Sequence, residues 1–346
     1  MVPYWLFLAI PVGVIVANLR FNERSKVWAW AMVWMFFSFA IGLRFEVGGD
    51  WNAYIRLLQV QDGKTFWSAL TAGDPGYYAL NWLVAQLGGS IYLVNTICGM
   101  VFMAGVVRFA RSQPLPWLAL LVSVPYMIIV VGMGYTRQSV ALGLVLISLV
   151  SLTNGKIRWF VFWVMIGASF HKSAILMLPL AALSATSNRF WSLFWISLMS
   201  LLGGYLFVFD SAEELWVNYV EADLHSQGGL VRVLMNAIPA MLFLGFRSYF
   251  LLSESERKLW FWMSLLALIC IPLVIISSTA TDRVALYLIP VQVFVFSRFP
   301  FIVSDPRQRG LITLAVVGYY ILVQAVWLLF ATNAAKWLPY QASFMA

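Results

Sequence analysis

Four short stretches hold residues whose chemistry is out of place in an otherwise apolar chain. The first is Arg44-Phe-Glu46-Val-Gly48-Gly49-Asp50-Trp-Asn52-Ala-Tyr54-Ile-Arg56, where a tight glycine turn sets a carboxylate between arginines. Asp50 is there suited to accept a proton from a hydroxyl, or else to cap a helix and pair with Arg56. The others are Arg137-Gln138, Ala168-Ser-Phe-His171-Lys172-Ser173-Ala174, and Arg283-x-x-x-Tyr287. His171, beside a lysine, reads as a neutral imidazole able to act as base or hydrogen-bond donor, or as a satisfied polar residue at a helix break. Arginine's planar fork donates several hydrogen bonds to phosphate oxygens and stays charged when partly desolvated. Arg44, Arg137, Arg232 and Arg283, with Lys172, therefore suit a phosphate or pyrophosphate ligand. The plainer reading is that each cation reaches lipid headgroups or neutralises a nearby acid.

Membrane helices must position these residues. Of 346 residues, 62% are hydrophobic and only 10% charged, which leaves too few polar residues to coat a water-facing surface. Uncharged runs of about 20 residues are long enough to cross a hydrocarbon core of about 30 Å. Met1 to Leu19, Val27 to Leu43, Pro75 to Val107, Ser112 to Thr136, Gln138 to Gly155, Phe190 to Phe209, Leu259 to Thr281 and Gly310 to Ala335 are such runs. Trp159 to Phe170, Ser173 to Asn188 and Val284 to Ser297 are shorter and bounded by charges, as tilted or broken spans would be. The expectation is an all-α, polytopic transmembrane helical bundle of about 12 spans, forming a single integral membrane domain over 1–346. Pro75 to Leu87 is expected to be a re-entrant or interfacial helix, ended by Gly88 and Gly89. Met1 to Leu19 reads as a retained helix, because its basic residues follow the apolar run.

The net charge of +8 is explained by the membrane and gives no reason to invoke nucleic acid. If the spans alternate, most of the lysines and arginines, among them Arg20, Arg24, Lys26, Arg108, Arg111, Lys156 and Arg158, fall on one side, assigned to the cytoplasm. Most acids fall on the other. The longest outer loops are then 45–74 and the acidic 210–231. Eight cations remain for the outer side, Arg44, Arg56, Lys64, Arg137, Lys172, Arg232, Arg283 and Lys336, and of these Arg44, Arg137, Lys172, Arg232 and Arg283 stand at span ends or starts, against the orientation bias, and so call for another reason to exist. Tyr and Trp near span ends, such as Trp67 and Tyr77, are expected in an interfacial belt. Cys98 and Cys270 lie inside apolar runs and read as buried thiols. No phosphate-loop glycine motif, dinucleotide fingerprint or Cys/His cluster with metal spacing is present, so neither cofactor nor metal is expected.

At these same residues the chain resembles the EpsG family of Wzy-type polysaccharide polymerases. The resemblance rests on Arg44-x-x-Val47-Gly48-x-Asp50-x-x-x-Tyr54, Arg137-Gln138-x-x-Ala141, Phe170-His171-x-Ser173-Ala174 and Arg283-x-x-x-Tyr287. It departs at Gly134, where the pattern leads one to expect Asn. The resemblance implies a GT-C-like bundle in the bacterial inner membrane, with its active site facing the periplasm. It further implies a metal-independent glycosyltransferase that moves a growing glycan from undecaprenyl pyrophosphate onto the non-reducing end of an incoming lipid-linked repeat unit. In that reading Arg137 and Arg283 hold pyrophosphate, supported by Arg44, Lys172 and Arg232. Arg56, Tyr54, Gln138 and Tyr287 contact substrate, and Asp50 or His171 deprotonates the acceptor hydroxyl. The implied partners are lipid-linked oligosaccharides, membrane lipids and, as a candidate, a Wzz-type chain-length regulator. A flippase for an anionic lipid-linked substrate and an O-antigen ligase are the competing readings.

Overall fold

In the computed structural model, residues 1–184, 194, 197–198, 201 and 228–344 are described. Among them, the only strands are two of two residues each. Hydrocarbon offers no partner for N–H or C=O groups, so a chain this apolar satisfies its backbone within helices. The helices are α1 (Val2–Val16), α2 (Glu23–Gly42), α3 (Trp51–Gln59), α4 (Phe66–Leu70), α5 (Pro75–Gln86), α6 (Ile91–Arg111) and α7 (Pro116–Ser123). They continue with α8 (Thr136–Thr153), α9 (Ile157–Phe170), α10 (Pro179–Ser184), α11 (Gly229–Phe246) and α12 (Glu254–Ile276). The last three described are α13 (Ser278–Leu286), α14 (Pro290–Arg298) and α15 (Pro306–Phe330).

Six of these helices are long and apolar enough to cross a membrane, and a seventh span forms if α13 and the segment Pro290–Ile302, bent by 48°, count as one. The expected count of twelve is thus not confirmed. Val2–Val16, Pro116–Gly132 and Ile157–Phe170 are apolar but shorter, and most of the Phe190 to Phe209 run and of the 210–231 loop lies outside the described residues. The 45–74 stretch is not an irregular loop, since it carries α3 and α4. Helix α5, with 12 residues, is about 18 Å long, short of the roughly 30 Å needed to cross. Polar caps start several long helices. Asn22 accepts from the Ser25 N–H at 2.8 Å, and Ser253 with Glu256 forms a capping box on α12.

The centre of the bundle is built on close helix approach. Gly105 of α6 and Gly143 of α8 face one another so tightly that a Cβ on Gly143 would lie 2.6 Å from the Phe102 Cα. A Cβ on Gly105 would overlap the Gly143 backbone, so glycine alone fits the crossing. Elsewhere in the bundle a buried polar chain joins four helices. Asn236 donates to the Ala285 carbonyl at 2.8 Å, Gln292 to Asn236 Oδ1 at 2.7 Å, and the Tyr320 hydroxyl to Gln292 Oε1 at 2.9 Å. Such bonds tie helices together where neighbouring lipid would be as apolar as the helices themselves.

Residues 332–343 turn back and strap onto the start of the chain. β1 (Arg44–Phe45) pairs antiparallel with β2 (Gln341–Ala342), and the Ser343 N–H donates to the Leu43 carbonyl at 2.7 Å. The Gly48 N–H donates to the Lys336 carbonyl at 2.8 Å, and the Trp337 indole N–H to the Ile129 carbonyl at 3.1 Å. That carbonyl belongs to Val124–Gly132, where the backbone widens into π-helical turns. Gly105→Ala is expected to cost on the order of 1–3 kcal/mol by overpacking. Gly318→Ala, whose Cβ meets nothing within 4 Å, is expected to leave thermal stability in detergent unchanged or slightly raised, and differential scanning fluorimetry of both checks this.

Candidate active site

The polar stretches singled out in the sequence meet at one end of the bundle. Helix α8 begins at Thr136, so Arg137 and Gln138 fall in its first turn. A cation there adds to the positive pole of the helix and needs an opposing charge. Asp74 supplies it, since Arg137 Nη1 donates to Asp74 Oδ2 at 2.9 Å. Asp74 precedes Pro75 at the head of α5, yet its side chain leaves that helix uncapped and turns to Arg137 instead. It also takes a backbone hydrogen bond from Lys172. Burial pushes the Asp74 carboxyl above its usual value, and the opposing pull of Arg137 and Lys172 does not cancel that rise. The Arg137 side chain keeps 38% of its exposure, so the guanidinium is held but not sealed.

Arg283 is fixed differently. It donates from Nη1 to Gln138 Oε1 at 3.0 Å, and Gln138 Nε2 donates to the Arg283 carbonyl at 2.9 Å. Its guanidinium also stands 5.3 Å from the Tyr135 ring centroid. The bend between α13 and α14 places Tyr287 just beyond Arg283, where its hydroxyl meets Gln138 and lies 3.2 Å from Ser173 Oγ. Ser173 Oγ is in turn 2.6 Å from His171 Nδ1. Helix α9 ends at Phe170, and His171 takes an extended backbone before a 3-10 turn begins, which aims its ring into this network. The charges acting on the ring are those of Arg283, Arg137 and Lys172.

Three other cations lie outside this group. Arg44 is 1% exposed and donates to the carbonyls of Val47 at 3.2 Å and Ile41 at 2.5 Å and to Thr136 Oγ1 at 2.8 Å. Every guanidinium nitrogen is therefore occupied, and Arg44 clamps the glycine turn onto the head of α8. Arg232 is buried in an ion pair with Asp282, the neighbour of Arg283, beneath the Tyr126 ring. Arg56 lies on the exposed face of α3, two residues from the buried Tyr54, and is not brought to the group.

Tyr54 sits under the site, its hydroxyl against the backbone N–H of Arg137. Asp50 stands at the head of α3 without capping it, half-buried, and its carboxylate makes no hydrogen bond or ion pair among the described residues, with Arg56 or any other. Its charge faces the Tyr54 and Tyr135 hydroxyls. The turn that presents it depends on Gly48, whose φ of +105° and approach to the Met133 carbonyl exclude a side chain.

Sequence reasoning missed Asp74 and Asp282 as partners, and it missed Trp337. The Asp-Pro start of α5 and the acid directly before Arg283 were the available signals for the first two. Trp337 lies against Gly134, and a Cβ there would run into its indole. The departure from Asn at Gly134 thus coincides with a ring that fills the place. Tyr77, expected in an interfacial belt, is instead fully buried beneath Tyr54, with ring centroids 5.7 Å apart. Trp67 is 75% exposed. Cys98 and Cys270 are buried free thiols. Among the described residues no group of three His, Cys, Asp or Glu is placed to hold a metal ion. His225 lies outside the described residues.

At one end of its bundle this polytopic helical membrane protein gathers three cations, an imidazole and a carboxylate that is unpaired among the described residues. Residues 27–342 match the EpsG family, so the chain belongs to that family of Wzy-like polysaccharide polymerases. No curated protein and no solved structure gives a significant match.

Asp74 gives this site a pH signature. With its pKa raised on folding, Asp74 contributes most to stability when protonated, and that contribution falls as pH rises through the raised value. The stability of the wild type relative to Asp74→Asn should therefore be greatest near pH 4 and smallest near pH 7, in melting curves taken across about that range. A difference that grows with pH would show that the pair with Arg137 outweighs burial.

Proposed function

We propose that this protein polymerises lipid-linked oligosaccharide repeat units by glycosyl transfer at the cation-rich end of the bundle, facing the exterior of the bacterial inner membrane. The observation that carries the reading is the convergence of Arg137, Lys172 and Arg283 on the His171–Ser173–Tyr287 network. Family membership supplies the reaction class. Outside the cytoplasm no nucleotide sugar is at hand, so the donor arrives already activated on undecaprenyl pyrophosphate.

The bond that breaks joins the anomeric carbon of the donor glycan to a pyrophosphate oxygen. The bond that forms joins that carbon to a hydroxyl at the non-reducing end of the acceptor repeat. Negative charge grows on the departing pyrophosphate, and donors already fixed in place stabilise it without reorganising. Arg137 and Arg283 face it in this reading, with Lys172 beside them. The charge neutralisation is thereby given to side chains rather than to a metal ion.

Asp50 takes the acceptor proton. An unpaired, half-exposed carboxylate is free to receive it, whereas a proton on His171 would add a further positive charge among three cations. His171, held at Nδ1 by Ser173, then orients the reacting groups. Arg44 and Arg232, buried and bonded within the protein, position the turn and α13 rather than touching substrate.

The test incubates purified protein with a lipid-linked repeat unit and resolves products by size. Wild type should give a ladder of products. Arg137→Ala and Arg283→Ala should each lower the rate on the order of 100-fold or more, and Asp50→Asn by a similar factor. A chain that only moved its substrate across the bilayer, or ligated it to another acceptor, would make no ladder.

A further inference from the structure

One cation at this end of the bundle has no part in that transfer. Lys336 closes the 3-10 turn Thr332–Lys336, and its backbone is pinned by the Gly48 N–H at 2.8 Å. The residues after it are anchored independently, by Trp337 on the Ile129 carbonyl, Tyr340 on the Ala40 carbonyl at 2.9 Å, and the β1–β2 pairing. Its side chain runs over Gly49. A Cβ on Gly49 would stand 3.4 Å from Lys336 Cδ and 3.7 Å from Nζ. The ammonium is therefore brought beside the Gly48-Gly49-Asp50 turn by a segment held on both sides, not by a loose tail.

Two opposite charges now flank one turn, Lys336 and Asp50. Neither side chain makes a hydrogen bond or ion pair among the described residues, with the other or with any third group. An exposed lysine whose backbone is fixed keeps its charge available for a ligand. A carboxylate that accepts a hydroxyl proton and an ammonium that takes an anionic oxygen, both at one turn, match a molecule carrying both groups.

We infer that Lys336 is a substrate-binding residue, its ammonium taking an anionic oxygen of the lipid-linked glycan next to Asp50. This rests on the polymerase reading and extends it to the strap formed by residues 332–343. The anionic oxygen belongs either to the pyrophosphate or to a carboxylate on an acidic sugar, and the experiment separates the two.

Lys336→Met keeps the stem and the backbone anchors but removes the charge, and Lys336→Arg restores it. Full-length protein in nanodiscs of zwitterionic lipid is assayed for polymerisation kinetics and for binding of sugar-free undecaprenyl pyrophosphate, with melting temperature as the fold control. The expected result is a KM raised about tenfold in the Met variant, with kcat little changed and recovery in the Arg variant. If undecaprenyl pyrophosphate binding weakens in parallel, the contact is to pyrophosphate. If only KM moves, the contact is to an anionic sugar. Unchanged KM and binding in a Met variant that melts like wild type overturns the inference and leaves the polymerase reading standing. A wild type that makes no ladder, yet binds the pyrophosphate lipid in a Lys336-dependent way, overturns the polymerase reading and supports the anion contact.

Discussion

Like charges held together at the end of an apolar bundle repel one another, and most of the local architecture answers that constraint. Two unit charges about 4 Å apart interact by about 4 kcal/mol at the effective dielectric of a protein surface, and burial raises the figure. Arg137, Lys172 and Arg283 all act on one imidazole. Asp74 opposes Arg137, and Asp282 opposes Arg232 one residue before Arg283. Arg283 itself is tethered by Gln138, whose amide both donates to it and accepts from it. A neutral tether fixes the guanidinium without cancelling its charge, which in the proposed reading faces an incoming anion. An acid in place of Gln138 would hold Arg283 as well and spoil it as an anion-binding group.

The same end of the bundle is where regular helix gives way. Helix α9 stops at Phe170, α13 and α14 meet at a bend, and the stretch before α8 widens into π turns. Irregular backbone in a membrane protein is tolerated where it is buried in protein or lines a cavity, because its freed groups need partners. Here those partners are visible. The π-helical Ile129 carbonyl takes the Trp337 indole N–H, and the Arg283 carbonyl takes the Gln138 amide. Breaks and polar side chains therefore explain one another, since the breaks aim His171 and Tyr287 inward and the side chains satisfy the breaks.

The helical class was legible because it is written in composition and in long uncharged runs. Polar stretches at the ends of those runs were legible too, as cations there are conspicuous against apolar sequence. What each residue does there was not. Arg44 and Arg232 look the same as Arg137 and Arg283 in one dimension, yet the first two are buried and occupied. The difference is decided by partners 50 to 92 residues away, Asp282 and Thr136, which no local period announces. Span number was not confirmed, for a related reason. Short apolar helices such as Val2–Val16 and Ile157–Phe170 carry the hydropathy of a crossing without its length.

The strap is the least legible element and the one that ties the rest together. Its register with β1 joins residues about 300 positions apart, so two residues of extended chain at each end give no recognisable strand. Its effect is nonetheless local to the site. Arg44 lies in β1, and its side chain bonds Thr136 at the head of α8, so the strap, the glycine turn and Arg137 share one chain of contacts. Trp337 occupies the space over Gly134 that a side chain would otherwise fill. The departure from Asn at that position and the presence of the strap are thus two sides of one packing solution. A larger residue at position 134 and an indole at 337 exclude each other, and a chain that keeps the indole has only glycine left for the turn beneath it.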